Sequence, residues 1–181
     1  NNYILAEEYF YKALDYFKKI SDNKNICRAL IDIGLVNERL AKFTVSREFY
    51  EQALTFARKN NFENMHSEIL LNIANTHWFE GNYRNALTYS FNSLDLAKKN
   101  NDQMQIYLAM NTIGLIYWSV NDKDKAIYYL ENSLALSSAL KNYNDVSSTY
   151  NNLGIVHRSW KNYPEAEYYF NQALEIDKIL K

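Results

Sequence analysis

The run Asn151-Asn152-Leu153-Gly154 has three echoes at an unbroken spacing of forty residues: Asp32-Ile33-Gly34, Asn72-Ile73-Ala74 and Thr112-Ile113-Gly114. The pairs Ala13-Leu14, Ala53-Leu54, Ser93-Leu94, Ser133-Leu134 and Ala173-Leu174 keep the same period. A fixed period of roughly 20–50 residues marks a stack of like structural units, each burying its apolar face against its neighbours. Such an array presents an extended surface, and binding is the function that a surface of this kind serves. The period does not name the partner.

Within each repeat two apolar patterns of helical period are separated by a short polar break. The first spans about 24–41, 64–80, 104–120 and 144–160; the second spans about 3–19, 44–60, 83–99, 123–140 and 163–180. The expectation is an all-α, right-handed solenoid of nine helices joined by connections of a few residues. It forms one domain over 1–181: a half repeat at 1–20, then repeats at 21–60, 61–100, 101–140 and 141–181. Asn82, Asp122 and Asn162 precede second helices, where a side-chain oxygen caps free backbone N–H groups. Glu165 follows Asn162 at capping-box spacing, and Pro164 falls in a first helical turn, where a missing donor costs nothing.

Gly34, Gly114 and Gly154 share a mid-helix column that Ala74 completes. Glycine costs about 1 kcal/mol there relative to alanine, so its recurrence implies a closely approaching neighbour. Ala6, Ser46, Ala86, Ala126 and Ala166 form a second small column, and Ala13, Ala53, Ser93, Ser133 and Ala173 a third, the holes that receive a facing helix.

These columns resemble the tetratricopeptide repeat family, whose pattern is large apolar, Leu-Gly, Tyr, then Ala, an aromatic and Ala. The fourth repeat carries it as Tyr150, Leu153, Gly154, His157, Ala166, Phe170 and Ala173. The repeat here is 40 residues rather than 34, and the usual closing proline is replaced by Arg58, Lys98, Ser138 and Lys178. The chain is therefore similar to the longer-helix branch, found in bacterial response-regulator-binding proteins and in cargo or polarity adaptors. The resemblance implies a scaffold that binds protein or peptide in a concave groove, as the docking or sensing part of a larger signalling or regulatory protein.

A helical wheel of the first helices sets positions 28, 31, 32, 35, 38 and 39, with their echoes, on the groove face. Trp78 and Trp118 stand in register there, with Phe79 beside them, and contiguous apolar surface marks an interaction site. Asn72, Asn75, Asn111, Asn151 and Asn152 offer amide donors and acceptors to a peptide backbone. Leu115 and Arg158 complete the candidate peptide-binding set. The alternative is that the tryptophans pack between repeats and that the asparagines reflect family consensus and a chain rich in Asn. In relatives that clamp a terminal carboxylate, residues at the positions of Asn72 and Asn75 work with Lys or Arg. Only Arg28, Arg39 and Arg158 are available on this face, so a complete clamp is not expected.

With 20 basic and 21 acidic residues the chain has no net field toward nucleic acid or anionic lipid, and no direct membrane binding is expected. His77 and His157 fall in the family's interhelix tyrosine column and read as buried, hydrogen-bonded side chains; His66 has no evident partner. The lone Cys27 reads as packed. No phosphate loop or metal motif appears, so no cofactor, no metal and no catalysis are expected. The absence of a signal peptide and a membrane span gives a cytoplasmic expectation, and an opening Asn1-Asn2 without methionine reads as an excised piece. Two competing functions remain open: self-association through the ends of the array, giving a homo-oligomer, and a regulatory region attached to an enzyme or a DNA-binding protein.

Overall fold

The structure is a computed structural model that describes residues 2–180, the side chain of Asn64 excepted. Asn1 and Lys181, the expected first and last residues of the array, lie outside the described residues. Among the described residues the chain forms nine α-helices: α1 (Asn2–Lys19), α2 (Asn23–Arg39), α3 (Phe43–Lys59), α4 (Glu63–Phe79), α5 (Tyr83–Lys99), α6 (Gln103–Ser119), α7 (Lys123–Ala139), α8 (Tyr143–Ser159) and α9 (Tyr163–Ile179). Every helix after the first is 17 residues long. The fold class is all-α, a tetratricopeptide-like solenoid of sequential antiparallel pairs. No helix is long and apolar enough to cross a membrane.

The even lengths come from one repeated junction. Residues 21, 41, 61, 81, 101, 121, 141 and 161 all have positive φ, and only Gly81 among them is glycine. At each, the left-handed residue donates its N–H to the carbonyl three residues back, and the next residue donates to the carbonyl five back. Ser21 thus bonds Lys18 at 3.2 Å and Asp22 bonds Phe17 at 3.0 Å. This Schellman geometry uses up the carbonyls that a helix end leaves free. The residue that closes it also opens the following helix, since Asp22, Lys42, Asn82, Asp102, Asp122, Asn142 and Asn162 each accept a backbone bond from the fourth residue on.

Side-chain capping is uneven. Asp122 accepts from the Lys125 N–H at 3.2 Å and Asn82 from the Asn85 N–H at 3.3 Å, as expected. Asp22 and Asp102 cap first helices in the same way. Asn162 makes no capping bond; its amide turns to the Nδ1 of His157 at 3.2 Å instead. Pro164 does occupy the first turn of α9.

Left-handed backbone costs roughly 1–2 kcal/mol for a residue with a Cβ. Gly81 has φ 76°, and a Cβ built there meets nothing within 4 Å. Gly81→Ala is therefore expected to lose about 1 kcal/mol through backbone strain alone, a loss that chemical denaturation measures directly. An unchanged midpoint would show that the junction tolerates alanine as easily as it does at Ala41.

The chain divides into two compact units, Asn1–Leu96 and Ala97–Lys181, the division falling inside α5. In the first unit α2 touches α1, α3 and α4; in the second, α8 touches α6, α7 and α9. The first core gathers Leu14, Ile26, Leu30, Ile33, Tyr50, Leu54, Ile69 and Ile73, all buried. The second holds Leu130, Leu153 and Val156, none with any exposure. Burial of such side chains contributes on the order of 1.5–3 kcal/mol each.

The glycine column meets the close approach it implied. A Cβ on Gly34 would stand 2.5 Å from the Tyr50 ring, one on Gly114 2.7 Å from Leu130, and one on Gly154 2.6 Å from Phe170. The third small column has a polar use as well. The Ser93 hydroxyl donates to the Ser67 carbonyl and the Ser133 hydroxyl to the Tyr107 carbonyl, 2.7 and 2.9 Å away. At Ala53 and Ala173 of that column the donor comes from the other helix: Cys27 Sγ bonds the Ala53 carbonyl and Ser147 Oγ the Ala173 carbonyl.

Candidate functional site

In the first unit the candidate face is built by α2 and α4. At its head the Arg28 guanidinium grips both oxygens of Glu68, at 2.5 and 3.0 Å. This occupies a cation that a carboxylate clamp would need. Asn72 and Asn75 follow, half-buried, and their amides make no hydrogen bond among the described residues. At the C-terminal end of α4, Trp78 stacks on Phe79 with ring centres 5.3 Å apart. Phe79 stacks in turn on Phe43, at the start of α3, at 5.7 Å, yet remains 51% exposed. An ion pair between Arg47 and Glu80 ties α3 to the end of α4 beside them.

The second unit presents its residues differently. The Asn152 amide donates to Asn111 Oδ1 at 3.1 Å, and that of Asn151 to the Ser147 carbonyl at 3.2 Å. The Trp118 indole N–H donates to Ser159 Oγ at 2.9 Å, while Leu115 and the Trp118 ring pack on the core. Arg158 is exposed, its guanidinium 5.8 Å from the centre of the Phe170 ring. All ten candidate residues lie half-buried or exposed on their helices. Trp78, Phe79, Asn72 and Asn75 belong to one unit; Asn111, Leu115, Trp118, Asn151, Asn152 and Arg158 belong to the other.

The wheel assigned more residues to this face than it holds. Ile31 is 2% exposed, Leu71 5%, and Glu38 and Thr112 8% each. A first helix packs against the neighbouring first helix as well as against its second-helix partner, so its buried stripe is wider than a two-helix wheel allows. Glu38, in the Trp78 column, becomes a buried carboxyl for this reason. Burial pushes it up to about 7, against the opposing pull of the Arg39 charge and the Tyr50 hydroxyl.

Because the folded value lies above the ordinary 4.5, this proton is held more tightly in the folded chain. The associated stability is fully present below pH 4.5 and is lost as pH rises toward 7. Glu38→Gln cannot ionise, so it is expected to gain on the wild type across that window, by on the order of 1–3 kcal/mol at pH 8. Thermal unfolding at pH 4.5 and pH 8 checks this, and a difference independent of pH would refute it.

The remaining titratable groups serve packing. Cys27 has no exposure, and burial pushes its thiol up to about 11. The His157 ring, 7% exposed, bonds Asn162 and lies against Tyr169; His77 is half-buried and stacks on Tyr89 at 5.5 Å. Burial lowers the pKa of both, favouring neutral imidazoles. His66 is half-buried, with an Nε2 that has no partner among the described residues. Among the described residues no group of three His, Cys, Asp or Glu side chains can hold a metal ion.

The chain is similar to several solved structures. BtubC (BKLC) from P. vanneervenii is 22% identical, with a TM-score of 0.79 over 99% of this chain and 75% of its own. A Rap protein complexed with Competence and Sporulation Factor is 18% identical, with a TM-score of 0.89; 97% of this chain spans 49% of that one. Aspartyl phosphate phosphatase F from Bacillus subtilis is 14% identical, with a TM-score of 0.65 over 97% of this chain and 58% of its own. At such identities the likeness shows the fold. No curated protein matches the sequence. The tetratricopeptide repeat model matches residues 1–59, 66–139 and 105–179, nearly the whole chain. With its forty-residue period, its glycine and alanine columns and its paired helices, the chain belongs to the tetratricopeptide repeat family, a family of protein-interaction modules.

Proposed function

We propose that this chain docks a peptide segment of a partner protein on the exposed faces of its first helices, as the sensing or docking part of a larger signalling or regulatory protein. One observation carries the reading: in the first unit an aromatic stack of half-buried Phe43 and Trp78 with exposed Phe79 adjoins two asparagines whose amides make no hydrogen bond among the described residues. Aromatic area supplies affinity, and side-chain amides match the donors and acceptors of a peptide backbone. A Rap protein of similar fold is itself complexed with Competence and Sporulation Factor. The module is read as non-catalytic, since its one thiol is buried and the rings of His77 and His157 pack against Tyr89 and Tyr169. Selecting peptides on the chain from a random display library and measuring their affinity for tryptophan variants tests the reading.

A second reading, self-association, rests on the outer helices. Tyr3, Ile4, Leu5, Tyr9 and Tyr16 of α1 are exposed, as are Tyr168, Leu174 and Ile179 of α9. Leu174 is 50% exposed although its repeat partners Leu14, Leu54 and Leu94 are buried. Apolar stripes of this kind favour contact with another copy. The chain is expected to sediment with rising mass over tens of micromolar, and Leu174→Lys to reduce the effect. A constant monomer would leave the first-helix faces as the interaction surface.

A further inference from the structure

The first unit contains a small cavity of about 170 Å³ walled by Glu38, Arg39, Phe43 and Phe79. Drug-sized ligands need about 300–1,000 Å³, so this space suits one side chain. Its chemistry is specific. Glu38 is 8% exposed, and its Oε2 is shielded from solvent without a hydrogen-bond partner. Leaving such an oxygen unpaired costs free energy that a donor entering the cavity would recover. Phe43 and Phe79, stacked with ring planes 20° apart, add aromatic surface, and aromatic faces attract cations. Arg39, exposed at the rim, forms no ion pair with Glu38 among the described residues and leaves the carboxyl available.

We propose that this cavity receives the cationic side chain, lysine or arginine, of the docked peptide, with Glu38 as its counter-charge and Phe43 and Phe79 as its walls. The proposal rests on the peptide-docking reading and adds to it a required residue type. The site lies at the C-terminal end of α2, and its walls Phe43 and Phe79 belong to the Trp78 stack, so a peptide crossing α4 would anchor on both. Burial makes Glu38 hard to ionise, offset only in part by the Arg39 charge and the Tyr50 hydroxyl, and a cation closing over it would favour the charged form.

The test uses blocked amino acids as probes: N-acetyl-lysine and N-acetyl-arginine N-methylamides, their neutral counterparts norleucine and citrulline, and n-butylamine. NMR shifts of Glu38 and Phe79 report binding. The two cationic amides are expected to bind in the millimolar range, at least ~10-fold tighter than the neutral pair. Glu38→Gln, which keeps the fold, should abolish that preference, and Phe79→Ala should weaken both cationic probes. Equal binding of charged and neutral probes, or a preference that survives Glu38→Gln, would overturn the proposal. Butylamine binding as tightly as the lysine amide would point to a free amine as the occupant and overturn the peptide assignment. A cation preference that persists while tryptophan variants leave peptide affinity unchanged would remove the docking face but keep the cavity's chemistry.

Discussion

Gly34→Ala is expected to lower the stability of the first unit by about 1–3 kcal/mol, although alanine is the better helix former by about 1 kcal/mol. The new Cβ would stand 2.5 and 2.6 Å from two ring carbons of Tyr50, which has no exposure and nowhere to swing. Gly154→Ala faces a similar collision with Phe170 at 2.6 Å, but that ring is only half-buried and yields more easily, so its loss should be smaller. The second repeat has reached another solution. Its pair is Ala74 and Ser90, both fully buried, so the larger residue in the glycine column meets a smaller partner. In units of 60–100 residues about 1 kcal/mol moves the midpoint by roughly 4–8 °C. A thermal scan in which Gly34→Ala melts later than the wild type would show that the ring relaxes freely and that the column is not a packing constraint.

Trp78→Ala is expected to weaken selected peptides by about thirtyfold or more, the cost of ~2 kcal/mol that truncating a central aromatic anchor incurs. Helicity and melting should change little, because the indole is half-buried at the end of α4, beside the exposed Phe79. Trp118→Ala should affect stability as well as binding. Its N–H is bonded to Ser159 and its ring packs on the core of the second unit, so part of the loss should appear as a lower melting midpoint. Isothermal titration with the same peptides, beside melting curves, separates the two contributions. If both variants bind normally per folded molecule, the tryptophans are packing residues and the docking face lies elsewhere.

Much of this was legible because the period repeats each signal four or five times. The helix limits fell within two residues of those observed, and the mid-helix glycines pointed to a close approach that three rings or branched side chains make. The junctions were less visible. A left-handed residue usually betrays itself as glycine, but here Ser21, Ala41, Lys141 and Lys161 adopt that conformation under pressure from the helices on either side. The burial of Ile31 and Glu38 and the pairing of Asn111 with Asn152 depend on one first helix meeting the next, forty-one residues on in the asparagine pair. A wheel drawn for one helix contains no such neighbour. The Glu38 cavity was hidden for the same reason, since its walls come from three helices.

The eight left-handed junctions, spaced by twenty residues, also set how this chain can change by insertion and deletion. Losing one residue inside a helix turns every later side chain in that helix by about 100° and aims its buried stripe at water. Losing or copying a forty-residue block between equivalent junctions does neither: each helix keeps its length, and each closing residue still opens the next. For this protein the tolerated step in genetic length is thus the whole block, and point insertions within helices should be purged while arrays of different copy number survive.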